Sequence, residues 1–256
     1  MARMKKNDCF RFKRFTVNHG RSSMKVGVDA ILLACWADVS PAKTILDVGT
    51  GCGVLALICA QRSVDALIKG IDIDKDSVEE AESNFVSSPW ADRLTAELCD
   101  FDSIYDKECN KGHFDLVISN PPFFDSVIDR IETSRMRARH QDSLSPFSLI
   151  LHSREILAEN GLLAMVIPYT RGEEIMECAA SAGYSVRRVA SVKGRAELEP
   201  KRMLLEFIWN QVPGHAGQLD SVNYDKFNVE EIVIEEQINS PTEQFKNLCK
   251  DFYLKF

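Results

Sequence analysis

Short apolar runs alternate with helix-like segments between residues 44 and 210, and this alternation constrains the fold more than any other feature. The pattern is typical of a parallel sheet whose strands are joined by crossover helices. It predicts seven strands: Thr44–Val48, Leu67–Ile71, Leu94–Cys99, Phe114–Ser119, Gly161–Ile167, Tyr184–Ala190 and Met203–Trp209. It also predicts helices near 53–62, 75–87, 145–158 and 171–182. We therefore expect an α/β fold with a mostly parallel sheet flanked by helices.

Two further segments flank this alternating region. Residues 28–37 have a helical pattern, and they follow a basic N-terminal stretch. Residues 211–224 are rich in Gly, Pro, His and Asn and are predicted to be a loop before a short strand at Glu230–Glu236. We expect three parts: a basic N-terminal segment with a cap helix (1–43), the α/β core (44–210) and a C-terminal extension packed on it (211–256).

Composition narrows the class of protein. The chain has 256 residues, 45% of them hydrophobic, which is ordinary for a globular protein. Its eight cysteines include no Cys-x-x-Cys pair, which favours free thiols in a reducing cytosol over disulfides or a zinc site. No segment has the length of a membrane span. We expect a cytoplasmic protein that binds neither membrane nor metal.

Three glycines follow the first predicted strand, at Gly49, Gly51 and Gly53. Without Cβ atoms they let a ligand approach the backbone closely. Their Gly-x-Gly-x-Gly spacing differs from the Gly-x-Gly-x-x-Gly that cradles a pyrophosphate, and it favours a ligand combining an amino acid with a nucleoside. Asp47 is placed to meet the ammonium group of such a ligand, directly or through water.

Acidic residues also follow the next two predicted strands. Asp72 ends the second strand beside Ile73 and is placed to accept both hydroxyls of a ribose. Asp100 and Phe101 follow the third strand, where they can meet the amino group and the ring of an adenine. Each acid alone is equally consistent with a loop or helix cap. Acids at three successive strand ends favour a nucleoside site.

The tetrapeptide Asn120-Pro121-Pro122-Phe123 follows the fourth predicted strand. The Asn120 side-chain oxygen and the Pro121 carbonyl can accept two hydrogen bonds from a planar amino group, while Phe123 stacks on its ring. The two prolines stiffen this arrangement. A simple Pro-rich turn is the alternative explanation of the motif alone.

The net charge of −7 argues against a nucleic-acid partner, but the distribution of charge is uneven. Residues 1–25 hold eight Lys or Arg against one acid. Further clusters lie at 130–140 and 187–202. Each cluster alone is as well explained by a solvated face, but the three together favour an anionic substrate.

Residues 44–210 resemble the Rossmann-like S-adenosylmethionine-dependent methyltransferases. In these the seven strands are ordered 3-2-1-4-5-7-6 and the seventh is antiparallel. Asn-Pro-Pro-Phe is similar to the (Asp/Asn/Ser)-Pro-Pro-(Tyr/Phe/Trp) motif of members that methylate amino groups. The resemblance implies catalytic roles for Asn120, Pro121, Pro122 and Phe123. It implies that S-adenosylmethionine is bound by Lys25, Asp29, Asp47, Gly49, Gly51, Gly53, Asp72, Ile73, Asp100, Phe101 and Asn120.

The acceptor is not decided by the tetrapeptide, since a nucleobase and a glutamine amide are both planar. Protein-glutamine N5-methylation and methylation of an rRNA base therefore stand as alternatives. Segments 15–19 and 24–33, which precede the core, and segment 200–207, within it, resemble the bacterial valine-tRNA adenine-N6 methyltransferases. This resemblance covers nearly the whole chain, although Val28 stands where those relatives have Thr and Phe123 where some have Tyr.

That second resemblance implies methylation at N6 of the adenosine on the 3′ side of the anticodon, by an enzyme we expect to be a monomer. Neither His19 nor His140 is assigned a catalytic role, because lone histidines more often serve packing or the surface. The residues predicted to contact tRNA are Phe123, Phe124, Arg137, Arg139, His140, Lys201 and Arg202.

Overall fold

A nine-stranded sheet forms the centre of the computed structural model, which describes residues 8–22, 24–105, 110–122, 144–209 and 229–255. A separate hairpin consists of β1 (Cys9–Arg11) and β2 (Thr16–Asn18). The strands of the sheet are β3 (Thr44–Val48), β4 (Leu67–Asp72), β5 (Leu94–Leu98), β6 (Phe114–Ser119), β7 (Leu157–Pro168), β8 (Tyr184–Arg195), β9 (Arg202–Trp209), β10 (Glu230–Gln237) and β11 (Ser240–Pro241). The helices are α1 (Val28–Trp36), α2 (Val54–Arg62), α3 (Lys75–Val86), α4 (Phe101–Tyr105), α5 (Pro146–Ile156), α6 (Gly172–Ser181) and α7 (Glu243–Cys249).

The order of the strands confirms the predicted topology. From one edge the order is β5-β4-β3-β6-β7-β9-β8, which is 3-2-1-4-5-7-6 when these seven are numbered along the chain. The seventh, β9, is antiparallel to both of its neighbours. The sheet has two more strands than predicted, because β10 pairs in parallel with β8 and β11 pairs with β10.

Alternate residues of the central strands face two separate apolar layers. Ile45 of β3 points toward α1, α2 and α7, whereas Leu46 and Val48 point toward α4, α5 and α6. The sheet is therefore covered on both faces, as a parallel sheet with crossover helices requires.

Side-chain caps explain where two helices near the carboxyl edge of the sheet begin. The Asp74 carboxylate accepts from the Ser77 backbone N–H at the start of α3, and the Ser145 hydroxyl accepts from the Ser148 N–H at the start of α5. Each cap satisfies a donor of the first turn that has no partner within the helix. These starts fix the positions of both helices beside the strand ends.

Residues far apart in sequence join at the hairpin. The Lys13 N–H donates to the Phe252 carbonyl at 2.9 Å, and Phe12 pairs with Tyr253 in an isolated bridge. Phe12 also stacks on Phe15 with ring centroids 4.5 Å apart. The hairpin is thus held by the C-terminal residues as well as by its own pairing. The division into three parts at 43 and 210 stays a prediction.

Composition led to predictions about disulfides and membrane spans, with which the cysteines and helices can be compared. Seven cysteines lie in the described residues and no disulfide joins any two of them, with Cys35, Cys52, Cys59 and Cys249 buried. Within the same residues, no helix is both long and apolar enough to cross a bilayer.

Candidate active site

A cavity of about 380 Å³ opens at the carboxyl edge of the sheet, beside the ends of β3, β4, β5 and β6. Its volume lies within the roughly 300–1,000 Å³ of small-molecule sites, and strand ends of open α/β sheets are where ligands bind. The lining residues are Met24, Val48, Gly49, Gly51, Ile71, Asp72, Ile73, Asp74, Cys99, Asp100, Phe101, Asp102, Asn120, Pro122, Leu144 and Ser148.

The glycine loop forms one wall of this cavity. Gly49, Gly51 and Gly53 have φ angles of +71°, +54° and +82°, a region that residues with side chains rarely adopt. Gly49 and Gly51 line the cavity. Gly53 does not, because it faces inward, where a Cβ would lie 2.4 Å from a ring carbon of Phe85. The missing Cβ of Gly53 leaves room for the Phe85 ring, and a contact between Gly53 and the ligand stays a prediction.

Asp47 lies beneath the loop and does not line the cavity. Its Oδ2 accepts from the Thr50 hydroxyl at 2.7 Å and from the Ala56 N–H at 3.2 Å, which ties the loop to the start of α2. Its Oδ1 is buried without a partner among the described residues. A contact between Asp47 and an ammonium group stays a prediction, and Oδ1 is the atom available for it.

Burial has a consequence for the ionisation of Asp47. Removal from water raises the pKa of its carboxyl from an ordinary 3.8 to about 7, and the nearby Asp72 charge adds to the effect. At pH values below both pKa values the native and unfolded states are both protonated. The native state binds this proton more tightly than the unfolded state, which adds to the free energy of unfolding at low pH. This contribution is lost as the pH rises through the native pKa of about 7.

We expect Asp47→Asn to gain stability relative to the parent chain as the pH rises. The free energy of unfolding of Asp47→Asn, measured with urea, should rise relative to that of the parent by roughly 2–4 kcal/mol from about pH 4 to about pH 8. Asp92→Asn, at an exposed position, controls for the loss of a carboxylate. Parallel pH profiles for Asp47→Asn and the parent would contradict the prediction.

The ends of β4 and β5 bring the predicted nucleoside-binding residues to the cavity beside the glycine loop. Asp72 accepts from the Gly51 N–H through Oδ2 and from the Asp74 N–H through Oδ1, both at 2.9 Å. Beside it Ile73 leaves 59% of its surface exposed, and Asp100 is also exposed. Phe101 lines the cavity from α4 but is 3% exposed. The structure thus assembles Asp72, Ile73, Asp100 and Phe101 around one space.

Asn120 lies at the end of β6, where the strand is fixed to its neighbour. The buried Ser119 hydroxyl donates to the Val48 carbonyl at 2.7 Å. The next residue, Asn120, lines the cavity, and its Oδ1 is buried with no partner within the described part of the chain. Pro122 lines the cavity as well, while Pro121 is buried. A buried acceptor without a donor is costly, which indicates that a ligand supplies the donor.

Five predicted substrate-binding residues lie outside the described residues. They are Phe123, Phe124, Arg137, Arg139 and His140. Their roles stay predictions.

Three other predicted site residues lie away from the cavity. Asp29 and Arg202 form an ion pair with Nε 2.8 Å from Oδ2, which brings the start of α1 beside the start of β9. Lys25 is exposed and does not line the cavity. The predicted contacts of Lys25 and Asp29 with the cofactor stay predictions. Met24, their neighbour, lines the cavity instead.

The basic cluster at 187–202 is largely neutralised. Arg187 pairs with Asp38 and with the buried Glu206, and Arg188 pairs with Glu230. Lys193, Arg195 and Arg202 pair with Glu231, Glu197 and Asp29. The acids come mostly from segments far away in sequence. This cluster is therefore a much weaker argument for an anionic substrate than the sequence suggested.

One cation of the N-terminal cluster, Arg21, is tied to α3 in a similar way. Arg21 pairs with Asp76 and Glu79, and the backbone N–H groups of Gly20, Arg21 and Ser22 donate to the Glu80 carboxylate. His19 is buried, and its Nδ1 accepts from the Val26 N–H at 3.2 Å, which is a packing role.

Leu144, Ser148 and Asp102 also line the cavity, and sequence reasoning missed them. Leu144 comes close to the loop, since a Cβ on Gly49 would lie 3.2 Å from Leu144 Cδ2. Ser148 contacts His152, which lies 3.4 Å from the Asp102 carboxylate. The Ser145 cap and Pro146 could have predicted the start of α5, but nothing in the sequence places that start against the glycine loop.

Comparison with known proteins agrees with this geometry. Residues 22–181 match the model of the methyltransferase small domain family. The chain is 36% identical over 249 residues to a protein from Parabacteroides distasonis named tRNA1(Val) (adenine(37)-N6)-methyltransferase, covering 97% of this chain and 99% of that one. A protein of the same name from Christiangramia forsetii is 34% identical, with 97% and 99% covered.

Solved structures share the fold. A predicted O-methyltransferase from Agrobacterium tumefaciens matches with a TM-score of 0.62 at 19% identity, over 88% of this chain and 96% of that one. A ribosomal protein L11 methylase from Lactobacillus delbrueckii matches with a TM-score of 0.52 at 18% identity, over 76% and 84%. The chain therefore belongs to the methyltransferase small domain family and, within it, to the family of the tRNA1(Val) (adenine(37)-N6)-methyltransferases.

Proposed function

We propose that this chain transfers a methyl group from S-adenosylmethionine to N6 of adenosine 37 in a valine tRNA. The observation that carries the chemistry is the buried Asn120 Oδ1 at the cavity, which has no hydrogen-bond partner among the described residues. The choice of tRNA over a protein glutamine or an rRNA base rests on two relatives that have the same name, tRNA1(Val) (adenine(37)-N6)-methyltransferase. Each of them aligns with 97% of this chain.

The residues present fit the proposed methyl donor. Gly49 and Gly51 offer a backbone wall without side chains, which suits close approach of an extended ligand. The Asp72 carboxylate has further lone pairs for ribose hydroxyls beyond the two that the backbone occupies. Ile73 and Phe101 supply apolar surface for a base. When bound, S-adenosylmethionine supplies an electrophilic methyl group and leaves as a neutral thioether.

The chain's own residues prepare the acceptor nitrogen. Asn120 Oδ1 accepts one N–H of the adenine amino group, and the Pro121 carbonyl accepts the other. With both hydrogens held, the nitrogen lone pair is directed out of the ring plane, toward the cavity that Gly49 and Asp72 line. The nitrogen releases one proton to solvent after the transfer. The main work of the site is therefore alignment, which can supply several kcal/mol of the barrier reduction (~7–11 in well-oriented model reactions).

The target base must leave its stack to reach this site. An exocyclic nitrogen of a stacked adenosine cannot enter a cavity at a strand end, so the nucleotide has to be extruded from the anticodon loop. Bases in a loop cost less to extrude than paired bases, which suits a position beside the anticodon.

A nucleoside assay tests the proposal. The protein is incubated with methyl-labelled S-adenosylmethionine and unmodified valine tRNA, and the RNA is digested to nucleosides. We expect label in N6-methyladenosine, and we expect its loss when guanosine replaces adenosine 37. Label confined to N2-methylguanosine, or label in release-factor protein instead of tRNA, would overturn it.

A further inference from the structure

The carboxyl edge of the sheet continues from Asn120 to the end of β7. Ser119 of β6 lies opposite Met165 of β7, and Pro168 lies opposite Arg202 of β9. Tyr169 follows Pro168 and so lies three residues further along the strand direction than Asn120, which is roughly 10 Å at ~3.3 Å per residue. Tyr169 and Lys201 are thus at the same edge of the sheet as the acceptor site.

Tyr169 stands on a fixed backbone. It begins a single 3-10 turn, Tyr169–Arg171, and its N–H donates to the Lys201 carbonyl at 3.1 Å. Arg171, at the end of the turn, lies over the ring of Phe147 at 5.1 Å, and Phe147 precedes the cavity residue Ser148 on α5. The turn is therefore held from β9 and from the cavity wall, while 39% of Tyr169 remains exposed.

Charge distinguishes Lys201 from its neighbours. Within the described residues, the other five cations of the 187–202 cluster each pair with a carboxylate. Lys201 is exposed, and the hydrogen bonds recorded for it involve its backbone, with Val192, Tyr169 and Arg202. Its ammonium group is therefore the cation of this cluster best placed to meet an anion from outside.

We propose that Tyr169 and Lys201 form a subsite for a nucleotide adjacent to the methylated adenosine. The exposed phenol ring stacks on the neighbouring base, and the Lys201 ammonium group contacts the backbone phosphate beside it. An exposed aromatic side chain next to a cation that has no ion pair within the described part of the chain is the combination with which proteins hold single-stranded RNA. Extrusion of the target leaves its neighbour without a stacking partner, which the ring replaces. This inference rests on the proposed function, because it names a further contact with the same substrate.

Binding of an RNA hairpin measures the subsite without any methyl transfer. A fluorescently labelled valine anticodon stem-loop is titrated with protein in the presence of S-adenosylhomocysteine, and anisotropy gives the Kd. We expect Tyr169→Ala to weaken binding by roughly 5- to 150-fold, the range of one lost base–aromatic stack. Tyr169→Phe keeps the ring and should restore most of the affinity. Lys201→Gln should weaken binding and reduce the slope of log Kd against log salt by about one.

Lys43→Gln serves as the matched control. Lys43 precedes β3 at the opposite edge of the sheet and pairs with Asp65, so its loss should leave the RNA affinity unchanged. Equal affinities for the parent, Tyr169→Ala and Lys201→Gln would overturn the subsite, as would a Tyr169→Phe variant as weak as Tyr169→Ala. Failure of the proposed function is distinguished by the nucleoside assay, which would then show no N6-methyladenosine with the parent chain.

Discussion

Asn120→Ala is expected to lower the rate of methyl transfer by about 100- to 1,000-fold, the usual loss when one positioned hydrogen-bonding group at a reacting centre is removed. The substitution removes the oxygen proposed to hold an N–H of the acceptor and leaves the Pro121 carbonyl alone to orient it. The glycine loop and Asp72 are untouched, so the affinity for the methyl donor should barely change. Single-turnover kinetics and calorimetric titration with S-adenosylhomocysteine measure the two quantities separately.

The thermal stability of Asn120→Ala is the first control on its expected loss of activity. Asn120 Oδ1 has no donor among the described residues, so its removal breaks no hydrogen bond of theirs and the melting temperature should hold. Asn120→Asp keeps an oxygen at the same position and should retain far more activity than Asn120→Ala. A large loss of donor affinity with an unchanged transfer rate would instead assign Asn120 to the cofactor.

Gly53→Ala is expected to destabilise the protein by about 2–5 kcal/mol, the sum of a left-handed backbone strain and an overpacked core. The φ angle of Gly53 is +82°, and an added Cβ would lie 2.4 Å from Phe85 Cε1. Phe85 is 1% exposed, so its ring has little room to retreat. Thermal unfolding followed by circular dichroism should show a melting temperature lower by roughly 5–15 °C.

Gly112→Ala separates the two contributions. Gly112 also has a positive φ, +61°, but among the described residues beyond its two chain neighbours no atom lies within 4 Å of an added Cβ. Gly112→Ala should therefore destabilise the protein through backbone strain alone, by roughly 1–2 kcal/mol. Equal losses for Gly53→Ala and Gly112→Ala would show that Phe85 yields to the methyl group. If the contact with Phe85 causes the larger loss of stability, replacing Phe85 with Leu in the Gly53→Ala background should recover part of that loss.

The strands of the sheet could be predicted from the sequence because each central strand is a continuous apolar run bounded by turn residues. The resemblance to a known family supplied the order itself, and pairing of β9 between β7 and β8 confirmed it. The hairpin was missed because β1 and β2 have three residues each, too few for a pattern to emerge. β10 was predicted as a strand, but nothing local indicated that it would join β8.

The same distinction applies to the residues of the candidate site. Gly49, Asp72 and Asn120 could be placed because they directly follow strands, and parallel strands end at one edge. Met24 and Leu144 reach the cavity from segments outside the strand ends, and their contacts depend on packing that the sequence does not display. The cluster at 187–202 misled for the same reason, since acids such as Asp38 and Glu231 that neutralise it come from other segments.

The joining of the hairpin to residues 252 and 253 has a consequence for biosynthesis. Lys13 and Lys250 are in contact although 237 positions separate them, so the hairpin is synthesised long before the residues that cover it. Contacts of such long separation form late, because a large loop must close before they stabilise anything. While the ribosome is still adding α7, the buried faces of Phe12 and Phe15 lack part of their cover. We therefore expect this hairpin to need chaperone protection while the chain is being synthesised.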